Sequence, residues 1–370
     1  MPGLFDPITL RGQKIPNRIG VSPMCQYSAI DGMPEDWHVV HLGGRAVGGA
    51  GLVMAEATGV SPEGRITPGC LGIWSDAHLP MHARIARFIA SQGAVPAIQL
   101  GHAGRKASRM LPWEGGGPLK LDQGAWQVAG ASAIPFDAAS PVPQMMDQAA
   151  IEKVLADFVA AAKRAVAAGY KLIELHGAHG YLLHSFYSPL SNTRNDAWGG
   201  DFAGRTRLVR EVARAVRAAI PHDLALGVRI SHSDWKDGGW TTDDSVELAK
   251  ALKADGVDMI DVSSGGNAFD QKLPLFPGYQ VPGAVAVRAA GLPVAAVGLI
   301  TEATHADAIV QTGQADMVFL ARVLLRDPYW PQRAADVLRV TKEVRVPAQY
   351  ARAWPSGFGH DADPPRSWHG

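Results

Sequence analysis

The chain has 370 residues, 47% of them hydrophobic and 19% charged, with 35 Lys plus Arg against 35 Asp plus Glu. This is ordinary globular composition, which excludes a disordered or fibrous protein, and zero net charge supplies no general field for nucleic acid or an anionic membrane surface. Two cysteines, Cys25 and Cys70, cannot build a disulfide framework, a four-cysteine zinc site or an iron–sulfur cluster. No stretch is apolar for the roughly 20 residues a membrane span needs, and the first sixteen residues lack a signal peptide's apolar centre. The expectation is a soluble, cytoplasmic protein.

Taken in chain order, a short apolar run rich in β-branched residues is followed, again and again, by an Ala/Arg/Glu-rich stretch of helical period. Strands are predicted at residues 19–24, 51–57, 95–100, 171–176, 224–230, 259–263, 293–297 and 317–320. Helices are predicted at 36–48, 76–92, 147–168, 202–220, 242–255, 281–290, 302–311 and 328–340. Asp76 and Asp147 stand where N-caps are wanted, and Gly93 and Gly169 where a left-handed C-cap is. Eight β–α units imply a (β/α)8 TIM barrel, with a doubly wound open sheet as the alternative. The barrel domain is expected over residues 1–355, with a long loop after the third strand (108–146) and a flexible tail over 356–370.

Active sites of such barrels lie at the C-terminal ends of the strands. Those ends hold Ser22, Pro23, Met24, Cys25 and Tyr27; Ala57; Gln99 and His102; His176, His179 and Tyr181; Arg229; Ser264 and Gly265; Gly298; and Ala321 and Arg322. Loops seven and eight of these barrels commonly present backbone N–H groups to phosphate, and Ser264, Gly265, Gly298 and Arg322 suit that task. Arg229 at a strand end needs an anion opposite. The pyrimidine edge of a reduced flavin would serve, with Gln99 bonding the same edge; an internal ion pair with Asp261 or Glu174 is the alternative. His176 and His179 can present two N–H donors to one oxygen, with Tyr181 near enough to deliver a proton. Zinc ligation with His102 or Glu174 as third ligand, or two structural histidines, are the alternatives. Cys25 is a small buried hydrophobe, a nucleophile with a base such as His176, or a thiol tuning a flavin ring, and is counted with the catalytic candidates His176, His179 and Tyr181; Cys70, His38, His41, His78 and His82 read as structural, packing or surface residues. No Gly-x-Gly-x-x-Gly joins a strand to a helix, so a nicotinamide cofactor would visit as a substrate.

Several longer motifs go further: Asn17-Arg18-Ile19, Ser22-Pro23-Met24-Cys25-Gln26-Tyr27, Gly64-Arg65-Ile66-Thr67, Gly72-Ile73-Trp74-Ser75-Asp76, His102-Ala103-Gly104-Arg105-Lys106, His176 through Tyr181, Ser188-Pro189-Leu190-Ser191-Asn192 and Leu325-Arg326-Asp327-Pro328. With them the chain resembles the Old Yellow Enzymes, flavin-dependent ene-reductases on a (β/α)8 barrel, over nearly its whole length. Cys25, and Trp113-Glu114-Gly115 with Trp126 in the long loop, resemble the bacterial, cysteine-containing, xenobiotic-reductase branch. The resemblance implies non-covalent FMN lined by Ser22, Pro23, Met24 and Cys25, held by Ala57, Gln99 and Arg229, with its phosphate at Gly298, Ala321 and Arg322. It implies NADPH or NADH as donor in a ping-pong cycle, and activated alkenes (unsaturated ketones, aldehydes or maleimides) as acceptors. Hydride would pass from flavin N5 to Cβ while His176 and His179 bind the carbonyl oxygen and Tyr181 protonates Cα. Tyr27 would touch the substrate, and Arg352 and Trp354 would reach a neighbouring subunit's site in a homodimer or dimer of dimers. No metal is implied. An amine demethylase or oxidase, a nitro-compound reductase, a zinc hydrolase and a flavin-binding protein without turnover are the competing functions. Ala321 stands where relatives commonly carry Gly.

Overall fold

The structure is a computed structural model in which residues 1–353 are described. Eight parallel strands close into a barrel: β1 (Ile19–Val21), β2 (Leu52–Gly59), β3 (Val95–Gly101), β4 (Leu172–Gly177), β5 (Ala225–Ser231), β6 (Met259–Ser263), β7 (Val294–Ala296) and β8 (Met317–Leu320), with β8 pairing β1. The principal crossover helices are α1 (Asp36–Val47), α2 (Leu79–Ser91), α3 (Gln148–Ala167), α4 (Phe202–Ala219), α5 (Thr242–Ala254), α6 (Val281–Arg288), α7 (Ala303–Gln311) and α8 (Trp330–Val337). The expected barrel is therefore the observed one.

Strand alternation divides the apolar side chains in two. Val53, Ile98, Ile173, Leu226, Ile260 and Val318 point outward and pack under the helices. Their neighbours Leu52, Met54, Ala97, Leu172, Met259 and Phe319 point into the lumen as a separate cluster. Leu10 and Ile15 join this inner cluster from an antiparallel hairpin, Ile8–Leu10 with Gln13–Ile15, which closes the bottom of the barrel. That hairpin was not expected.

Local chemistry corrects some boundaries. Asp147 caps α3 as expected, accepting from the Ala150 amide at 2.8 Å, but Ser75 rather than Asp76 is the N-cap before α2, accepting from Ala77 N. Asp76 lies in the following 3-10 turn and pairs with Arg164 at 2.6 Å. Gly93 (φ 81°) and Gly169 (φ 95°) take the left-handed conformation expected of them. The last helix starts at Trp330 and stops at Val337, inside the expected 328–340. Two further short helices, Leu182–Tyr187 after β4 and Arg322–Arg326 after β8, stand where loops were expected. Among the described residues no helix is long and apolar enough to cross a membrane.

Candidate active site

Above its apolar plug the lumen turns polar. Gln99, Glu174, Arg229 and Asp261, each at an inward position of β3, β4, β5 or β6, are buried together. Gln99 Nε2 donates to Glu174 Oε1 at 2.8 Å, and Arg229 Nη1 donates to Ser22 Oγ at 3.2 Å. Arg229 Nε lies 3.1 Å from Asp261 Oδ2, out of line for a hydrogen bond. Burial pushes Asp261 up to about 6 against the pull of Arg229, and burial and the Asp261 charge raise Glu174. The cation at the end of β5 thus has an internal anion, and its presence alone does not demand an external one. Its fork still faces the barrel mouth through Ser22.

At the mouth, strand-end residues emerge from burial. Pro23, Met24, Cys25 and Tyr27 after β1, Ala57 on β2, Gly298 after β7 and Ala321 after β8 are partly exposed, while the strands beneath them are buried. β2 slips register between Ala55 and Ala57. This bulge directs Ala57 toward Gln99 and sends Glu56 back to the Gln26 amide (3.0 Å) and His38 (3.5 Å). The loop carrying Cys25 is held by that carboxylate, and the Tyr27 hydroxyl faces the Cys25 sulfur. Burial, then the Glu56 charge, raises the Cys25 thiol well above its ordinary value, which favours the protonated thiol. Tyr27 sits at φ 51° with its ring 6.2 Å from that of Trp113.

His176, at the end of β4, and His179, in the turn after it, bring their rings 5.2 Å apart; the Tyr181 ring is 4.9 Å from His176. His176 and Tyr181 line a cleft with Ala57, Gly101, His102, Ile66 and Cys70. Both imidazoles are driven well below their ordinary pKa, first by burial, then by the Arg229 charge. They are neutral donors across physiological pH. His176 Nδ1 is buried without a partner, whereas His179 Nε2 is 2.7 Å from Ser263 Oγ. The Tyr181 hydroxyl is raised well above its usual value by burial. Such a proton is released only to a strongly basic carbon or oxygen.

The turn between these residues is tied down on every side. Tyr187 O–H donates to Gly177 O (2.6 Å), His179 N to Ser231 Oγ (2.9 Å), Gly180 N to His184 Nδ1 (2.9 Å), and Lys106 Nζ to His179 O (2.8 Å) and Gly266 O (2.9 Å). His179 (φ 60°) and Gly180 (φ 74°) are left-handed, so the turn needs these partners. Lys106 also lies 5.1 Å from the Tyr181 ring, and burial, then Arg105 and Arg109, lowers its pKa to about 7. Sequence reasoning did not single out Lys106, His184, Tyr187 or Ser231.

Of the expected phosphate donors, Gly298 (φ 125°) and Ala321 are partly exposed, and Arg322 is exposed at the first residue of its helix. Gly265 donates its amide to Ser233 O (2.8 Å), and Ser264 Oγ donates to Gln280 (2.6 Å), so both are occupied internally. His102 Nδ1 accepts from Gly104 N at 3.0 Å. No cluster of three His, Cys, Asp or Glu among the described residues is arranged to hold a metal ion. Cys70 is buried against Thr67, and His38, His41, His78 and His82 are buried packing residues rather than surface ones. Arg352 is exposed, in the turn Ala348–Ala353; Trp354 and the tail over 356–370 lie outside the described residues.

Residues 3–340 match the sequence profile of the NADH:flavin oxidoreductase / NADH oxidase family. The chain is 45% identical to an NADPH dehydrogenase of Geobacillus thermodenitrificans over 354 residues, covering 95% of this chain and 98% of that one. It is 46% identical to an NADPH dehydrogenase of Bacillus licheniformis over 354 residues, with the same coverage. Among solved structures, the Old Yellow Enzyme homologue of Zymomonas mobilis superposes with a TM-score of 0.75 at 24% identity, over 91% of this chain and 93% of that one, which supports the fold. The barrel, its mouth and these likenesses lead to one conclusion: the chain belongs to the NADH:flavin oxidoreductase / NADH oxidase family and is an oxidoreductase.

Proposed function

We propose that this protein is an FMN-dependent ene-reductase that takes electrons from NADPH, the donor named for its curated relatives, and saturates activated alkenes in a ping-pong cycle. One observation carries the reading. Two neutral imidazoles, their rings 5.2 Å apart, and a protonated phenol gather at the end of β4; His176 and Tyr181 line one cleft, and His176 Nδ1 is buried there without a partner. The donor set suits FMN: the partly exposed residues Pro23 to Cys25 and Ala57 would give a flat ring a largely apolar wall, Gln99 and Arg229 would offer it polar partners, and Gly298, Ala321 and Arg322 remain for the phosphate.

When bound, FMN supplies a two-electron store, filled from a nicotinamide and emptied into the alkene. His176 and His179 hold the carbonyl oxygen and withdraw electrons toward it, which makes Cβ electrophilic. Because both are neutral, each polarises that oxygen by donating its one ring N–H rather than by carrying a full positive charge. Charge then builds on Cα, and the Tyr181 hydroxyl, too weak an acid to lose its proton earlier, gives it up there.

An absorbance spectrum of the purified protein, followed by anaerobic NADPH and then 2-cyclohexenone, tests the reading. Flavin bands that bleach and return support it; a colourless protein that FMN cannot reconstitute removes it; bands that bleach but ignore the enone point to amine or nitro chemistry. The double variant His176→Ala/His179→Ala keeps bound FMN and loses about 10²–10³-fold in enone turnover. Tyr181→Phe loses at least about 10²-fold in the enone half-reaction, read by stopped flow, and leaves reduction by NADPH unchanged.

A further inference from the structure

The mechanism leaves one fully buried acid–imidazole pair without a task, and it lies directly behind the catalytic turn. His184 and Asp234 are both 0% exposed, with Nε2 and Oδ1 3.0 Å apart, the ring N–H not pointing straight at the oxygen. Asp234 accepts two hydrogen bonds, and a third steadies one of its donors. Ser188 Oγ donates to its Oδ2 at 2.5 Å, Trp240 N donates to the same oxygen at 2.9 Å, and Asn267 Nδ2 donates to Ser188 Oγ at 2.7 Å. Asn267 is in turn gripped by Arg105, whose Nη2 donates to its backbone oxygen (2.6 Å) and Oδ1 (2.9 Å). The loops after β3, β5 and β6 and the short helix after β4 therefore meet at one carboxylate and its neighbours.

His184 relays this to the site. Its Nδ1 accepts the amide of Gly180, the residue between His179 and Tyr181. An imidazole nitrogen that accepts carries no proton, so the ring proton is on Nε2, the nitrogen facing Asp234. A carboxylate favours that placement and disfavours the other tautomer. Only glycine fits at this position: a Cβ there would come within 2.4 Å of Gly266 O, and the residue is left-handed. The Gly180 amide has one acceptor, and the acceptor's tautomer is set by Asp234.

We propose that Asp234 and His184 are positioning residues for the ene-reduction site: they fix the peptide that sets Tyr181 relative to the His176–His179 oxygen site. This rests on the reading given under Proposed function. Neither side chain touches the substrate. Their effect passes through the Gly180 amide.

The test uses the FMN-loaded enzyme with flavin content checked by absorbance, and three substitutions at one position. H184N keeps an acceptor near the place of Nδ1, H184Q keeps a donor toward Asp234 without that acceptor, and H184L keeps neither. Two quantities are read: the Kd of 4-nitrophenolate, a flat ring bearing one anionic oxygen for the histidine pair, and kcat and KM for 2-cyclohexenone. The expected result is a loss of about tenfold in kcat for H184L and H184Q, the scale of one misplaced buried hydrogen bond, with H184N within about threefold of wild type. Phenolate Kd moves less than kcat, because the acid is displaced more than the oxygen site. D234N gives the same readout without altering shape. Its amide nitrogen would face His184 Nε2, the ring proton would move to Nδ1, and the Gly180 amide would meet a donor. The 15N shifts of the His184 ring then report the Nε2–H tautomer in wild type and Nδ1–H in D234N.

Equal kcat for H184N and H184Q, or a wild-type ring protonated at Nδ1, overturns the proposal. The two levels separate cleanly. If His176→Ala/His179→Ala binds phenolate as tightly as wild type, the oxygen-site reading fails; if that double variant loses binding while D234N and H184L turn over normally, only the positioning role fails. Should H184L not fold, D234N and H184Q carry the comparison.

Discussion

Lys106 joins two loops through one ammonium, donating to His179 O and Gly266 O beside the Phe136 and Tyr181 rings. Lys106→Met keeps the length of the stem and removes both bonds. Expected are a loss of about 1–3 kcal/mol in urea denaturation and, with Tyr181 as the proposed acid, a fall in enone kcat larger than the change in KM. An unchanged kcat would mean that Ser231 and His184 hold the turn without it. At this scale the sequence disclosed His176, His179 and Tyr181, because the strand-end rule of the barrel points at them. Lys106 was visible only as the end of a motif, without its role, and His184, Ser231 and Tyr187 were hidden for a physical reason. Each meets the turn by a bond that the fold creates, and its neighbours in sequence are those of an ordinary helix or strand end. Arg229 shows the opposite difficulty: its need for an anion was legible, but whether Asp261 or a ligand met that need depended on the register of β5 against β6, Arg229 opposite Asp261.

Among the elements, α1 and its exit illustrate how packing decides a glycine. The stretch Gly48-Gly49-Ala50-Gly51 is no phosphate loop: a Cβ at Gly48 would lie 1.8 Å from Pro328 O, so the end of α1 rests directly on the chain entering α8. Gly48→Ala forces the two apart, with an expected cost of about 2–3 kcal/mol, read as a lower urea midpoint at unchanged slope. Asp147→Ala at the head of α3 removes a side-chain cap and costs about 1 kcal/mol in the same measurement. Element types were legible because a short apolar run followed by a stretch of helical period recurs eight times. The short helices Leu182–Tyr187 and Arg322–Arg326 were not, because six and five residues are too few for a helical period to show. The hairpin at Ile8–Ile15 escaped notice because its strands are three residues each.

For the whole molecule, buried neutral histidines set the acid limit. Burial lowers His41 to about 3 and His82, His102 and His232 to about 4, against about 6.5 in an unfolded chain. Between these values the unfolded chain binds more protons, so stability present above about 6.5 is lost as pH falls toward 4. Asp261, raised to about 6, acts in the opposite sense over its own window. His82 bridges the Tyr170 hydroxyl (2.9 Å) and Gly72 O (3.0 Å). In His82→Gln the difference in Tm between about pH 7 and pH 5 is expected to shrink; an undiminished difference would place the acid sensitivity elsewhere.

The tier formed by Gln99, Glu174, Arg229 and Asp261 also has a meaning for change over generations. Below it lie Leu10, Ile15, Met54, Leu172 and Phe319, which determine how well the barrel bottom is closed. Above it lie the partly exposed residues of the mouth, where the proposed function places its ligands. A lineage, or an engineer, can repack the lower compartment for heat resistance and reshape the upper one for new substrates as two nearly independent searches, each leaving the other's gains intact.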